Sequence, residues 1–301
     1  MEFNFFSKAS KSNVGAGKNY VSCLLQGGLG NQLFILAAGL EQAERLSVPL
    51  IVDDSLYVEN YGRKQEVSDL NLGANVTFLS THPAARVLDL KSQIKLGNRF
   101  AEKSFRFDKG IFQIKSKTNI EGYFQSYKYF PSISGKLLSS IRSIKYSPDV
   151  EELIRHLSSK EFIAVHIRRG DYASNPSTQA FHGLTSSMFF ERSLALSQLV
   201  SKVNRVLVFS DSPEVAMSVL PKDLGLKYEI VPNYLSNFGT LELMSRGASI
   251  VMSNSSFSWW AAWLSSNSET TAHHVIAPRP WFAEDINTDD LLMPSWMSIG
   301  N

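Results

Sequence analysis

Cysteine, charge bias and long apolar runs are all scarce in this chain, and each scarcity removes a class of protein. Cys23 is the only cysteine among 301 residues, so no disulfide forms within the chain and a reducing compartment is the simpler reading. Lys plus Arg number 30 against 28 Asp plus Glu, a net charge of +2. Duplex nucleic acid asks for a basic face or stripe; here any bound anion has to be met by a local site. No apolar run reaches the roughly 18 residues of a membrane-spanning helix. Residues 1–19 are rich in Lys and Ser and contain no apolar core of signal-peptide length. A soluble, cytoplasmic protein is the expectation, with no membrane span and no nucleic-acid partner.

Metal-ligand patterns are also missing. There is no His-Glu-x-x-His, no Cys pair and no Asp-x-Asp, and Asp53-Asp54, Asp289-Asp290 and His273-His274 are lone pairs of the kind more often found as surface features. No Gly-x-Ser-x-Gly points to a nucleophilic serine. The expectation is a site without a metal or a resident cofactor.

What is present is a globular composition. Hydrophobic residues make up 44% and charged residues 19%, enough apolar surface for real cores. The length suits one large domain or two of ordinary size. Tyr20–Leu25 reads as a strand, 27–30 as a Gly-rich turn, Gln32–Leu46 as a helix and Val48–Val52 as the next strand. Residues 55–135 carry many aromatics with weak periodicity. Pro148 opens a helix to Leu157 with Asp149 as candidate cap. From Phe162 onward, strands at Phe162–Ile167, Arg205–Phe209, Tyr228–Val231, Ala248–Met252 and His274–Ala277 alternate with helices. That alternation predicts an α/β fold with doubly wound parallel sheets. The division falls near 157/158, giving an N-terminal Rossmann-like domain, 1–157, and a C-terminal one, 158–301.

Ligands bind such sheets beyond the carboxyl ends of the strands. Three predicted strands run into polar clusters there. His166-Ile167-Arg168-Arg169-Gly170-Asp171 offers guanidinium forks for phosphate, with Asp171 placed to orient one of them; the plainer reading is an Arg–Asp pair closing a loop. Ser253-Asn254-Ser255-Ser256 opens a helix whose free N–H groups and dipole attract phosphate; ordinary serine capping is the competing reading. Ser210-Asp211 is the third cluster. Trp259, Trp260 and Trp263 read as packing. The turn Gln26-Gly27-Gly28-Leu29-Gly30-Asn31-Gln32 suggests a dinucleotide fingerprint, but Leu33 stands where its third glycine belongs. A nicotinamide-dependent oxidoreductase therefore stays open as one reading.

Six blocks occur together and in order: Gly27–Phe34, Gly122–Phe130, His166–Tyr172, Val208–Asp211, Asn254–Trp260 and Ala277–Phe282. The set resembles the α-1,2-fucosyltransferases of glycosyltransferase family 11, bacterial-type and soluble, over about residues 21–296. The resemblance implies a GT-B-like pair of Rossmann-like domains facing a cleft, an inverting metal-independent transfer, and GDP-fucose as donor. It further implies a galactose-terminated glycan acceptor, lipid-linked or free, attacked at O2. Residue by residue it implies Arg168 on the diphosphate, His166 near the guanosine, Asn254, Ser255 and Ser256 along the phosphates, and Gly30 and Asn31 approaching from the other domain. Arg169, Ser210 and Asp211 complete the donor set, and Asp171 is the acidic residue nearest by motif for the catalytic role of general base. The family's usual guanine-gripping acid is Thr240 here, so Glu242 is the expected substitute, and the second acid of the Phe-Ser-Asp-Asp block is Ser212.

Overall fold

The computed structural model describes residues 19–58, 62–170, 176–268 and 274–301, and its strands form two parallel sheets. The first contains β1 (Val21–Leu24), β2 (Leu50–Asp53), β3 (Val76–Phe78), β4 (Asn98–Ala101) and β5 (Thr118–Glu121), in the order β3-β2-β1-β5-β4. The second contains β6 (Ile163–Ile167), β7 (Arg205–Ser210), β8 (Lys227–Ile230), β9 (Ser249–Val251), β10 (His274–Arg279) and β11 (Met297–Gly300), in the order β11-β10-β9-β6-β7-β8. Counted from β6, that is the 3-2-1-4-5-6 order of dinucleotide-binding sheets. Both halves are therefore doubly wound α/β units, and their pairing is GT-B-like. The helices are α1 (Leu29–Arg45), α2 (Ala84–Leu96), α3 (Ser134–Arg142), α4 (Pro148–Leu157), α5 (Pro176–His182), α6 (Ser187–Ser201), α7 (Pro213–Ser218), α8 (Asn237–Ser245) and α9 (Ser256–Ser266). The last strand of the first sheet ends at Glu121 and the first strand of the second begins at Ile163, with α3 and α4 between them. None of the described helices is long and apolar enough to cross a membrane.

The central strands follow from composition. β6, Ile-Ala-Val-His-Ile, is apolar at all but His166 and buried at all five positions, because helices cover both faces of a parallel sheet. α1 is buried on nearly every side, which a helix tolerates only when it is wedged between layers. One layer is β1 and β2; the other is α9. Helix α4 opens with Pro148 at its first position, where the missing N–H is no loss. Its cap position is Ser147 rather than Asp149, which lies in the first turn, where a carboxylate complements the helix dipole.

The two halves meet on aromatic side chains. Phe34 of α1 packs on Trp259 and Trp260 of α9, with centroids 4.5 and 4.9 Å away. Phe130 stacks on Trp260 at 5.4 Å. Both indole N–H groups are satisfied, Trp259 donating to the Leu291 carbonyl (2.8 Å) and Trp260 to that of Gly30 (2.9 Å). The tryptophans are thus packing and seam. Gly30 is glycine for a steric reason. A Cβ there would lie 2.5 Å from the Ser256 carbonyl carbon, so the N-termini of α1 and α9 touch only because the side chain is absent. Asp290 adds a polar tie, accepting from the Phe107 N–H at 3.0 Å and pairing with Lys128, while its carbonyl accepts from Ser126 Oγ at 2.6 Å.

Candidate functional site

A cleft of about 690 Å³ lies between the halves, at the carboxyl ends of the second sheet's strands. The order of that sheet reverses between β6 and β9, and the loops leaving those two strands form the floor. Ser253 joins them: its hydroxyl donates to the His166 carbonyl (2.8 Å) and accepts from the Arg168 N–H (3.0 Å). Arg168 projects into the cleft with its guanidinium 2.7 Å from Asp211 Oδ2. Asp211 Oδ1 accepts from the N–H groups of Arg169 (2.9 Å) and Gly170 (3.1 Å). One carboxylate from the end of β7 therefore fixes both the loop after β6 and the arginine that loop carries. Beside Arg168, α9 presents its N-terminus, with Ser255 as cap accepting from the Phe257 N–H at 3.3 Å. An arginine fork next to unsatisfied helical N–H groups is a site for a dianionic group.

The opposite wall is the turn before α1. Gly27 takes a positive φ of 80°, and a Cβ there would meet the Asn31 amide nitrogen at 2.6 Å. Asn31 Oδ1 accepts from Gln125 at 2.9 Å. Buried Gln32 ties the next segment to this turn: its amide nitrogen donates to the carbonyls of Gly27 (3.1 Å) and Lys64 (2.7 Å), and its Oε1 accepts from the Glu66 N–H (2.9 Å). Arg63, Lys64 and Glu66 consequently line the cleft. Sequence reading missed all three, because no local pattern marks them and a glutamine thirty-odd positions earlier places them.

His166 lies under the floor, 6% exposed. Its pKa is lowered to about 3, chiefly by burial and next by the Arg168 charge, so the ring is neutral across the physiological range. Nδ1 has no hydrogen-bond partner, and the ring sits 5.7 Å from that of Phe257. Burial also lowers the pKa of Arg169, whose guanidinium donates to the Thr185 carbonyl at 2.8 Å.

Of the residues singled out in the sequence, Gly30, Asn31, His166, Arg168, Ser210, Asp211, Asn254, Ser255 and Ser256 all line this cleft. Two others do not. Arg169 turns inward to Thr185. Glu242 faces away, paired with Arg246 at 2.8 Å on α8, while Thr240 reaches the cleft. Asp171 lies outside the described residues. Asn254 is present but occupied: its amide nitrogen donates to the carbonyls of His182 (2.7 Å) and Trp281 (3.1 Å), and its oxygen accepts from Thr185 Oγ1 (3.1 Å). It shapes the rim. Asp54 is buried and accepts from the Ser80 N–H at 2.9 Å, so it braces the end of β2.

Two doubly wound parallel sheets facing a cleft make a GT-B-like fold, and known proteins supply the family. Residues 98–300 match the family model described as "Glycosyl transferase family 11". The chain belongs to that family, which removes the oxidoreductase alternative. Among curated relatives, the O-antigen biosynthesis glycosyltransferase WbnK of Escherichia coli is 26% identical, covering 92% of this chain and 99% of its own. An alpha-1,2-colitosyltransferase of Escherichia coli is 27% identical, covering 91% and 97%. Among solved structures, POFUT1 in complex with GDP-fucose superposes with a TM-score of 0.50 over 88% of this chain and 98% of its own, at 12% identity. That likeness is one of fold.

Proposed function

We propose that the chain transfers L-fucose from GDP-β-L-fucose to O2 of a terminal galactose, with inversion and without a metal ion. The observation that carries this reading is Arg168, held by Asp211 beside the Ser255–Ser256 helix start, at the switch point of the second sheet and facing the Gly27–Asn31 turn. As the bond from the anomeric carbon to GDP breaks, its electron pair moves to the diphosphate. A fork donor and helical N–H groups stabilise that developing charge more than the ground state, which is how they lower the barrier. The galactose hydroxyl attacks the opposite face of the sugar in an oxocarbenium-like transition state, and its proton passes to solvent water as the new C–O bond completes. Tyr123 lines the cleft and offers an aromatic face to an acceptor ring, whereas Phe124 is fully buried and cannot.

The α-1,2 linkage is supported by the six sequence blocks and by the linkage named in the colitosyltransferase relative. That relative's name also favours a second reading, colitose in place of fucose on the same site. Parallel incubations of a β-galactoside with GDP-fucose and with GDP-colitose, followed by NMR of the products, separate the outcomes. An α-fucosyl group on galactose O2 is expected. Attachment at O3, O6 or a GlcNAc hydroxyl contradicts the linkage, and absence of fucosyl transfer beside transfer of colitose contradicts the donor sugar.

A further inference from the structure

Two carboxylates line the cleft among the described residues, Asp211 and Glu66. Asp211 is committed to Arg168 and two backbone N–H groups. Glu66 is not. Its two oxygens accept only from the single amide nitrogen of Asn237, at 2.9 and 3.0 Å, and an ionised carboxylate offers about four lone-pair sites. Its position is nonetheless fixed, since its N–H is held by buried Gln32 and Asn237 reaches it from the start of α8 across the cleft. Burial pushes its carboxyl above the usual range against the pull of the Asn237 bond; the side chain is half-buried in the cleft wall.

Location supplies the second half of the argument. Arg168 and α9 place the phosphates over β6 and β9. The other end of the cleft lies over β7 and β8, where Phe209, Val231, Pro232 and Leu235 supply apolar surface. A nucleotide with its phosphates at the switch point lays its base towards that end, between apolar walls and under Glu66. The geometry points to Glu66, a residue of the first domain, as the group that selects guanine, its two oxygens accepting from N1–H and the 2-amino group. Those adjacent donors form a pair that a carboxylate matches in bidentate fashion. Adenine presents an acceptor at N1 and is repelled; hypoxanthine keeps N1–H and lacks the amine. This inference rests on the proposed guanine-nucleotide donor.

Calorimetry of GDP, IDP, ADP and pyrophosphate on the full chain tests it. The wild type is expected to bind GDP over IDP and IDP over ADP. Glu66→Ala is expected to lose GDP affinity by on the order of ten- to a hundredfold, the range of a hydrogen bond to a charged group, with pyrophosphate unchanged and ADP bound no more weakly than before. Glu66→Gln, closer in shape, falls between. Asn237→Ala breaks the same cross-cleft contact and controls for loosening of the domains; it is expected to keep the GDP-over-ADP preference. Preserved preference in Glu66→Ala overturns the inference. So does retained GDP affinity with lost turnover, which would make Glu66 a proton acceptor. So does an equal loss of pyrophosphate, which would make the contact architectural. A wild-type chain that binds no GDP overturns the donor reading and this inference with it, before any variant is made.

Discussion

Arg168 and its neighbours show how a few atoms set the chemistry of a cleft. The guanidinium has a partner on the protein, Asp211, so it meets a diphosphate already oriented, and the same carboxylate holds two N–H groups of the loop that carries it. Lysine cannot reproduce that arrangement, because its ammonium is a point charge without a fork. Beneath it, His166 illustrates burial beside a cation. Its imidazole titrates near 3 in the folded chain and near 6.5 once unfolded. Between those values the unfolded state binds the extra proton, so stability is fully present above about pH 6.5 and falls as pH drops, by up to about 1.4 kcal/mol per pH unit from this one group. His166→Gln is expected to shed that share of the acid sensitivity. Urea melts at pH 7 and pH 4.5 measure it; an acid-side slope equal to that of the wild type would contradict the buried neutral ring.

Within helix α9, adjacent serines have separable roles. Ser255 is the cap, accepting from the Phe257 N–H, while Ser256 begins the helix and lines the cleft. Ser255→Ala is expected to cost about 1 kcal/mol of stability, as cap removal does. Ser256→Ala is expected to weaken GDP binding with little change in the melting midpoint. Calorimetry and a thermal melt on both variants check the division, and identical effects from the two would contradict it. How much could be read beforehand also depends on the element. From Phe162 to Arg279 the strands were legible because β6, β7, β9 and β10 are mostly apolar and buried along their middles, and their polar exits named Arg168, Ser210, Asp211 and Ser255–Ser256. Three edge strands were not legible. β4 is Asn-Arg-Phe-Ala, an exposed edge strand, β3 has only three residues, and β11 alternates between exposed and half-buried positions at the other edge. Such strands are defined by a neighbour's hydrogen bonds and leave little period in the sequence. The helix α1 begins at Leu29, ahead of the expected Gln32, because Gly30 fits against α9 and is not needed as a turn. Glu66 was invisible for a related reason: its place is decided by Gln32 and Asn237, each remote in the chain.

Across the whole molecule, the anion site faces a wall from the other half, and the seam of Phe34, Phe130, Trp259 and Trp260 fixes the distance between them. The donor's charge is met in this account by Arg168 and the α9 terminus, so fucosyl transfer is expected to keep most of its rate in EDTA. Loss of activity that returns with Mn²⁺ or Mg²⁺ would contradict that charge balance. The central claim is that Arg168, through its fork, stabilises the departing diphosphate. The most direct test is kcat/KM for GDP-fucose with a β-galactoside acceptor in Arg168→Lys beside the wild type. A loss equivalent to about 2–4 kcal/mol of transition-state stabilisation, the size found when one charge-stabilising donor is removed, is the predicted result; a near-normal kcat/KM in Arg168→Lys would contradict it.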